Sequence, residues 1–344
     1  MLAVRVPSQN AEAVRTLVSD AGILDKHHRI LNNDGYTEIP ILEKPNDELI
    51  AELGELDAEI IDDKEYAWRE TLKDVHRDIL AMIDVPEKVK QKLPKRWEQL
   101  GHVLVLKIDP ELEDWLEEIA VTYAKALDVD TVLRDTGGVV GTFREPVMEL
   151  LIGENTETVH LENDIKYCLD AARIMFSSGN VDERIRMASV CQPGEMVVDM
   201  FAGIGYFTLP MAVHSRPARV IAHEINPRSH RYLKMNANLN NAAKTVEPVL
   251  GDCLDAEENV ADRVVMGYVG TTHEYLPKAM RILREKGTIH YHETCPEKLL
   301  QERPMTRVKE AASDAGKKTE VLGMRKIKSY SPGVWHVVVD VAIS

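Results

Sequence analysis

The fold of this chain is decided by one stretch, Met196-Val-Val-Asp-Met-Phe-Ala-Gly-Ile-Gly-Tyr-Phe207. Its apolar run from Met196 to Met200 predicts a strand, Ala202 to Gly205 predicts a tight turn, and residues 206–213 predict a helix. A strand, a glycine turn and a helix make the first unit of a doubly wound α/β sheet. Glycine suits this turn because a Cβ atom would keep the backbone away from a bound ligand.

Two acids at the ends of later strands predict the kind of ligand. Glu224 lies 19 residues after Gly205, at the end of a second apolar strand, where a carboxylate can accept hydrogen bonds from ribose hydroxyls. Asp252 ends a third strand, where it can hold an adenine amino group. Position 208 is Thr, so the third glycine of the dinucleotide fingerprint is absent. The pattern therefore favours S-adenosyl-L-methionine over NAD.

The composition restricts the class of protein. The chain has 344 residues, 44% of them hydrophobic, which is enough for two or three domains. No apolar run is long enough to cross a bilayer, and the N-terminal residues lack a signal-peptide pattern. The scattered cysteines predict free thiols in a reducing cytoplasm. A net charge of −15 argues against a protein that coats nucleic acid nonspecifically, but it allows an RNA enzyme with a local basic face.

The order of the elements predicts four regions. Residues 1–45 predict a small α/β unit with a hairpin around Asn32 to Gly35, and residues 46–93 predict a charged helical linker or layer. Residues 94–180 predict a β-rich middle domain. Residues 181–344 alternate helix and strand, as in a seven-stranded Rossmann-like class I adenosylmethionine-dependent methyltransferase fold whose last two strands form a hairpin. The predicted strands there are 196–200, 219–224, 246–251, 262–269, 287–293, 319–328 and 334–342, and the predicted helices are 181–189, 206–214, 227–240, 271–285 and 303–315.

Several motifs outside the glycine turn are distinctive. They are Gly141-Thr-Phe-Arg-Glu-Pro146, Thr156-Glu-Thr-Val-His160, Ile174-Met-Phe-Ser-Ser-Gly-Asn180, Glu183-Arg-Ile-Arg-Met187 and Ser331-Pro-Gly-Val-Trp-His336. Together they resemble one enzyme family, the tRNA guanine-37 methyltransferases and wyosine-synthesis enzymes of archaea and eukaryotes. The resemblance is strong over residues 95–344 and looser over residues 1–45, where the methyltransferases carry a small RNA-binding domain.

One position separates the two branches of this family. The methyltransferases carry Asn-Leu-Pro after the fourth strand, whereas this chain has Met266-Gly-Tyr-Val269. With Ile289-His-Tyr-His-Glu-Thr294, this pattern resembles the tRNA(Phe) 4-demethylwyosine aminocarboxypropyltransferases. The resemblance implies transfer of the 3-amino-3-carboxypropyl group of adenosylmethionine to carbon 7 of that base at position 37, with methylthioadenosine released. The alternatives are tRNA guanine-37 N-methylation and a noncatalytic tRNA-binding protein.

The resemblance also implies a set of cofactor-binding residues. Glu224 would hold the ribose and Asp252 the adenine, and Arg184 could pair with the methionine carboxylate through two hydrogen bonds. Arg184 could equally be a surface cation of the helix, and Ser177 could simply cap that helix. The full set is Ser177, Arg184, Phe201, Ala202, Gly203, Gly205, Glu224, Asp252 and Cys253.

Two residues are implied for catalysis. Glu183 aligns with the proton acceptor of the methyltransferases, although it could instead be the i,i+3 partner of Arg186. Arg144 aligns with an arginine that touches the base, although it could instead stack on RNA or anchor the domain.

Other patterns have weaker interpretations. His290, His292 and Cys295 have metal-like spacing, but filling of a buried strand is the preferred interpretation, and no metal is expected. Candidate contacts to tRNA phosphates are Lys95, Arg96, Lys326 and Lys328.

Overall fold

The computed structural model describes residues 1–33, 35–62, 65–67 and 72–344. The chain forms two compact units, Met1–Met82 and Ile83–Ser344. No helix in these described ranges combines the length and the hydrophobicity of a membrane-spanning segment.

The first unit packs helices against a small antiparallel sheet of order β2-β3-β1-β4. Val4 and Val6 of the central strand are fully buried against Val14 and Val18 of the first helix, because strand residues i and i+2 share a face, as do helix residues i and i+4. The elements are β1 (Leu2–Pro7), α1 (Ala11–Asp20), β2 (Leu31–Asn33), β3 (Tyr36–Pro40), α2 (Asp47–Glu55), β4 (Glu59–Asp62) and α3 (Leu72–Met82). The predicted hairpin joins β2 and β3, and its turn residue Asp34 lies outside the described residues.

The predicted charged helical stretch 46–93 is helical only in parts. Besides α2, α3 and a short α4 (Glu87–Lys90), it contains β4, which pairs with β1 and places Ile60 opposite Val4. The helix prediction was therefore wrong for residues 59–62, where the pairing with β1 fixes an extended backbone. Residues 63–64 and 68–71 of this stretch lie outside the described part of the chain.

The second unit begins with two small sheets. The first is mixed and has the order β5-β6-β7-β8, and the second is the antiparallel pair of β9 and β10. The elements are β5 (Glu98–Leu100), β6 (Val103–Leu106), α5 (Leu116–Leu127), β7 (Thr131–Val140), β8 (Glu145–Ile152), β9 (Glu157–Glu162) and β10 (Ile165–Asp170). The sequence did not predict β8, because Pro146 lacks a backbone N–H and marks a break by its residue type, although proline is tolerated at the start of a strand.

A seven-stranded sheet of order β13-β12-β11-β14-β15-β17-β16 forms the rest of the second unit. Strands β11 to β15 are parallel, and β17 runs antiparallel between β15 and β16. The strands are β11 (Met196–Asp199), β12 (Arg219–Glu224), β13 (Val246–Leu250), β14 (Ala261–Met266), β15 (Leu283–Pro296), β16 (Thr319–Ser331) and β17 (Val334–Ile343). The helices are α6 (Val181–Met187), α7 (Thr208–Pro210), α8 (Pro227–Leu239), α9 (Leu276–Ile282) and α10 (Arg303–Asp314).

The helix predicted over 206–214 is irregular. Only α7 is α-helical, and Met211–Ser215 continues as a π-helical turn. Pro210 has no N–H for the carbonyl of Tyr206, which accepts a hydrogen bond from the Tyr167 hydroxyl instead (3.3 Å). The helix predicted over 271–285 is also shorter, because the backbone is already extended at Leu283, where β15 begins.

The strand order creates a crevice at one edge of this sheet. β11 lies between β12 and β14, so the chain leaves β11 at a point where the order of the strands reverses. Ligands of doubly wound sheets bind at such a point, outside the carboxyl ends of the strands. The glycine turn follows β11 directly, and Glu224 and Gly267 stand at the ends of the strands on either side.

Candidate active site

A pocket occupies this crevice and extends across the sheet. On one side it is lined by residues that follow β11, β12 and β13, and on the other by residues of β16, β17 and the segment after β14. The predicted site residues in its wall are Arg144, Ser177, Phe201, Gly203, Glu224, Asp252 and Cys253. The remaining predicted residues, Glu183, Arg184, Ala202 and Gly205, stand behind the wall.

The glycine turn is shaped by its two glycines for different reasons. Gly203 has a φ of +58°, and its backbone N–H donates a 2.7 Å hydrogen bond to Oε2 of Glu224. Gly205 has a φ of +103°, and a Cβ atom there would lie 2.7 Å from Cγ of Leu209. Gly203 therefore shapes the pocket wall, whereas Gly205 allows the turn to pack on the helix behind it.

Glu224 is held by two backbone donors. Oε1 accepts from the N–H of Asn226 (2.7 Å) and Oε2 from that of Gly203. Burial raises the pKa of this carboxyl group, and the backbone hydrogen bonds oppose that shift. Each oxygen keeps a lone pair, so the group is fixed in orientation and can still accept from a diol.

Asp199 has a structural position below the turn. It is fully buried, accepts from the N–H of Phe201 (3.2 Å) and from the hydroxyl of Thr208 (2.7 Å), and does not line the pocket. Burial raises its pKa to about 6. Thr208, which replaces the third glycine of the dinucleotide fingerprint, is thus the side-chain partner of this acid.

The end of the pocket near β13 combines aromatic and polar groups. Phe201 stacks on Tyr268 (ring centroids 5.3 Å apart) and meets the edge of Tyr275 (5.1 Å). Asp252 accepts from the N–H of Leu254 (2.9 Å). Burial raises the pKa of Cys253 to about 12, so this residue is a neutral thiol. A flat, amino-bearing ring would fit between such surfaces.

Gly267 is in close contact with an aromatic side chain. A Cβ atom at this position would lie 2.6 Å from Cε2 of Phe207. Phe207 in turn stacks on His292, with centroids 5.1 Å apart and planes inclined by 25°. An asparagine at position 267 would therefore require Phe207 to move, which gives a physical reason for the Met-Gly-Tyr-Val sequence.

Arg184 is 2% exposed and already has partners. It forms a two-pronged pair with Glu162 (2.5 and 2.6 Å) and donates to the backbone carbonyl of Ser177 (2.8 Å). Its guanidinium also lies over the ring of Phe176, 4.7 Å from the centroid. In this geometry Arg184 holds Ser177 in the pocket wall rather than facing the pocket itself.

Glu183 is 2% exposed and connects with the pocket only through histidines. Its carboxylate pairs with Arg186 (2.6 and 2.8 Å), and Oε1 lies 3.6 Å from Nε2 of His292. Nδ1 of His292 lies 3.1 Å from Nε2 of His336, which lines the pocket. Burial lowers the pKa of His292 to about 3 and that of His336 to about 2, so both rings are neutral. Both histidines lie in motifs of the sequence, but the sequence did not predict a role for either of them at the pocket.

The metal-like histidines have other partners. Nδ1 of His290 pairs with Asp340 (2.5 Å), and its Nε2 accepts from Arg263 (2.7 Å). His292 bonds to His336, and the thiol of Cys295 contacts the carbonyl of Pro296. Among the described residues, no group of three or more His, Cys, Asp or Glu side chains has an arrangement suited to a metal ion.

The cations around the pocket differ in their pairing. Arg144, at a φ of +53°, contacts the sulfur of Met175 (3.7 Å) and lies 6.0 Å from the ring centroid of Tyr268. Lys326 pairs with Glu297 (3.1 Å) outside the pocket. Lys328 instead lines the pocket and donates to the hydroxyl of Ser177 (2.5 Å). This position was not predicted, since the sequence made Lys328 a candidate contact to tRNA phosphates.

Family profiles match successive parts of the chain. The TRM5/TYW2 methyltransferase domain matches residues 158–322, the TYW2 N-terminal domain matches residues 76–156, and the tRNA methyltransferase 5 N-terminal domain matches residues 3–50.

Similar proteins come from both branches of the family. The tRNA(Phe) (4-demethylwyosine(37)-C(7)) aminocarboxypropyltransferase of Pyrococcus horikoshii is 48% identical over 78% of this chain and 95% of its own length. The tRNA (guanine(37)-N(1))-methyltransferase Trm5b of Pyrococcus abyssi is 31% identical over 100% of this chain and 99% of its own length. The crystal structure of P. horikoshii TYW2 in complex with MeSAdo has a TM-score of 0.71 at 45% identity, and it covers 79% of this chain and 99% of that chain.

Proposed function

This chain belongs to the TRM5/TYW2 family, and on that premise we propose that it is an aminocarboxypropyltransferase. It transfers the 3-amino-3-carboxypropyl group of S-adenosylmethionine to carbon 7 of 4-demethylwyosine at position 37 of tRNA(Phe). The observation that carries the proposal is the contact between Gly267 and Phe207, because an asparagine at position 267 would displace the ring of Phe207. The identity of 48% to a relative with this name supports it.

The residues of the pocket fit the co-substrate. Glu224 accepts hydrogen bonds from the ribose hydroxyls, and Asp252 accepts from the adenine amino group beside Cys253. Phe201 and Tyr268 border the adenine, and Gly203 brings the backbone of the turn close to the ligand, with Ala202 and Gly205 supporting the turn from behind. The co-substrate, when bound, supplies a sulfonium whose neighbouring carbons are open to displacement.

The orientation of the pocket groups decides which carbon reacts. Carbon 7 of the base forms a bond to the methylene next to sulfur as the bond between that methylene and sulfur breaks. The electron pair stays on sulfur, which leaves as methylthioadenosine. Displacement requires an in-line approach, so the side chains that hold the base and the arm select the carbon. Arg144 is the proposed contact to the base, because it lines the pocket beside the Tyr268 ring.

Carbon 7 must finally lose its proton, and Glu183 is the proposed acceptor. Because Glu183 lies behind the pocket wall, the proton travels through two histidines. His336 takes it at Nδ1 and gives its Nε2 proton to His292. Nε2 of His292 has no hydrogen-bond partner among the described residues, and it passes its own proton to Glu183 when the 3.6 Å separation between Nε2 and Oε1 shortens to hydrogen-bond distance. Arg186 holds the carboxylate of Glu183 in place through two hydrogen bonds.

The regions of the chain are assigned to separate tasks in this proposal. The first unit, Met1–Met82, contacts tRNA, and it includes α2 and β4 of the stretch that was predicted to be a linker or layer. Residues 94–180 form a middle domain that supplies Arg144 and Ser177, and residues 181–344 form the catalytic domain. The N-terminal match to a tRNA methyltransferase 5 domain supports the first assignment.

The rival function is tRNA guanine-37 N-methylation. One observation favours it, because a relative of that name is similar over the whole length of this chain, including the N-terminal unit. Gly267 opposes it, as does the higher identity to the aminocarboxypropyltransferases.

The by-product distinguishes the two functions. The protein is incubated with S-adenosylmethionine and tRNA(Phe) that carries either 4-demethylwyosine or unmodified guanosine, and the released thioether is identified by mass spectrometry. Methylthioadenosine from the first tRNA alone is the expected result. Adenosylhomocysteine from the unmodified tRNA would show that the chain is a methyltransferase.

A further inference from the structure

Lys328 is a cation of the pocket wall that lacks an anionic partner. Its Nζ donates to the hydroxyl of Ser177 (2.5 Å), and no carboxylate of the described residues lies within ion-pair distance of it. Lys326, two residues earlier on β16, pairs with Glu297. Burial lowers the pKa of Lys328, the charges of Arg184 and Arg144 lower it further, and the charge of Glu98 opposes this shift. Burial of an ammonium group without a direct ion pair costs free energy, and a bound anion would offset that cost.

The chain makes room for this lysine. A Cβ atom at Gly179 would lie 2.9 Å from Cδ of Lys328, so glycine allows the side chain to pass over the backbone into the pocket. The passage ends at Ser177, whose carbonyl is held by Arg184. Lys328 is thus directed to one place by its neighbours rather than extended into solvent.

An unpartnered acceptor lies in the same part of the pocket. Asn180 lines the wall, and its Oδ1 is covered by surrounding atoms without a hydrogen-bond partner among the described residues. A buried oxygen without a donor costs free energy, so a rotation of the amide that brings Oδ1 to an N–H group of a ligand would be favourable. The N–H of Asn180 donates to the carbonyl of Ser177 (3.1 Å), and Lys328 donates to the hydroxyl of the same residue, so a cation and an acceptor, the two groups that an α-amino acid requires, both lie next to Ser177.

Arg184 is poorly placed to serve as this cation. It is bound to Glu162 by both prongs and to the Ser177 carbonyl by its remaining edge, and it lies outside the pocket wall. Releasing it toward a ligand would leave Glu162 without these hydrogen bonds. Lys328 can turn toward a ligand at the loss of a single bond to a hydroxyl group.

We propose that Lys328 binds the α-carboxylate, and Oδ1 of Asn180 accepts from the α-ammonium group, of the aminocarboxypropyl arm of the co-substrate. This inference rests on the proposed co-substrate and goes beyond it by naming the residues that recognise the transferred group. Both partners hold charges at the far end of the arm, so together they fix the direction of the methylene that reacts. It also replaces a phosphate contact as the role of Lys328.

Paired ligands test this inference without tRNA. Binding of S-adenosylmethionine and of methylthioadenosine, which lacks the arm, is measured by calorimetry for the wild type and for Lys328→Met. The variant should bind S-adenosylmethionine about 10- to 100-fold more weakly, because a charge-assisted hydrogen bond is lost. Its affinity for methylthioadenosine should change less than about twofold. Lys326→Met, on the same strand but outside the pocket, should change neither.

Two further binding measurements separate the role of Lys328 from that of Asn180. Decarboxylated S-adenosylmethionine should bind the wild type more weakly than S-adenosylmethionine does, and Lys328→Met should abolish that difference. Asn180→Ala should weaken both of these ligands but not methylthioadenosine. The wild-type comparison needs no variant, so it remains valid if a substitution impairs folding.

Three results would overturn the inference. In the first, the wild type binds S-adenosylmethionine and its decarboxylated form with equal affinity. In the second, Lys328→Met leaves the affinity for S-adenosylmethionine unchanged. In the third, Lys328→Met lowers the affinity for methylthioadenosine by the same factor as that for S-adenosylmethionine. Because the assay contains no tRNA, its failure is distinct from that of the proposed function, which the thioether by-product decides.

Discussion

The two halves of the pocket have opposite chemistry. The half that follows β12 and β13 presents acids, Glu224 and Asp252, fixed by backbone N–H groups. The half on β16 and β17 presents Lys328 and the neutral ring of His336. A nucleoside offers hydrogen-bond donors, whereas an amino-acid arm carries a carboxylate, so each half suits a different part of one ligand. The difference predicts that the nucleoside and the arm of the ligand bind at separate edges of the sheet.

The halves also differ in how their residues are anchored. In the nucleoside half, backbone N–H groups of the strand–helix connections orient both acids. In the arm half, side chains distant in sequence orient one another, as in the series Glu183, His292 and His336. Substitutions in the first half should therefore affect binding of the nucleoside, and those in the second should affect binding of the arm or the reaction.

The largest expected effect is on catalysis. His336→Gln should lower the single-turnover rate about 100-fold or more, since positioned proton transfer contributes about 10²–10⁴. The affinity for methylthioadenosine should stay at the wild-type value, because His336 lies away from the nucleoside half. Rapid-quench assays with saturating tRNA measure the rate. His214→Gln, at a surface histidine, is the control. An unchanged rate would exclude His336 from the proton path.

The next effect is on binding. Glu224→Gln should lower the affinities for S-adenosylmethionine and for methylthioadenosine equally, by about 10- to 100-fold, because charge-assisted hydrogen bonds to the ribose are lost. Calorimetry measures both ligands, and Glu257→Gln, at an exposed position, is the control. If only S-adenosylmethionine were affected, Glu224 would contact the arm and the division of the pocket would be wrong.

The junction between the halves can be tested through stability. Gly267→Ala should lower the free energy of unfolding by about 1–3 kcal/mol, because the new methyl group overlaps Phe207. Chemical denaturation measures the loss. Combined with Phe207→Leu, the same substitution should cost less than it does alone, since neighbouring sites couple. Additive losses would mean that the two residues do not compete for space.

The smallest effect concerns the acid beneath the glycine turn. The raised pKa of Asp199, about 6, means that the folded state binds its proton more tightly than the unfolded state does. Its contribution to stability is therefore greatest at low pH and falls as the pH rises through 6. Relative to Asp199→Asn, the wild type should lose about 1 kcal/mol between pH 5 and pH 7. Unfolding curves of both proteins at both pH values measure this difference. A wild type that gained stability relative to Asp199→Asn between pH 5 and pH 7 would contradict the prediction.

The sequence predicted that several residues of the nucleoside half would lie together. A glycine turn after a strand and acids at strand ends are local patterns, and the structure brings Gly203, Glu224 and Asp252 together in the pocket wall. The α/β class was also predictable, because the period of the apolar residues sets each element.

The arm half was not predictable in the same way. Lys328 and His336 occupy antiparallel strands, and only the pairing of β16 with β17 and of β17 with β15 brings them to the edge where the parallel strands end. The side-chain partners of Arg184 and Glu183 depend likewise on residues far away in the sequence, Glu162 and His292. A clue was present in Ser177-Ser-Gly-Asn180, where the glycine and the amide serve Lys328 and its ligand, but their spacing alone has no single meaning.

The most direct test of the account follows both ends of the co-substrate in one reaction. The protein is given tRNA(Phe) carrying 4-demethylwyosine and S-adenosylmethionine labelled with ¹⁴C in its carboxyl group and ³H in its methyl group. We predict that ¹⁴C enters the tRNA while ³H remains in the small-molecule fraction. Incorporation of ³H with ¹⁴C left in solution would contradict the account, because the pocket would then present the methyl group rather than the arm to the base.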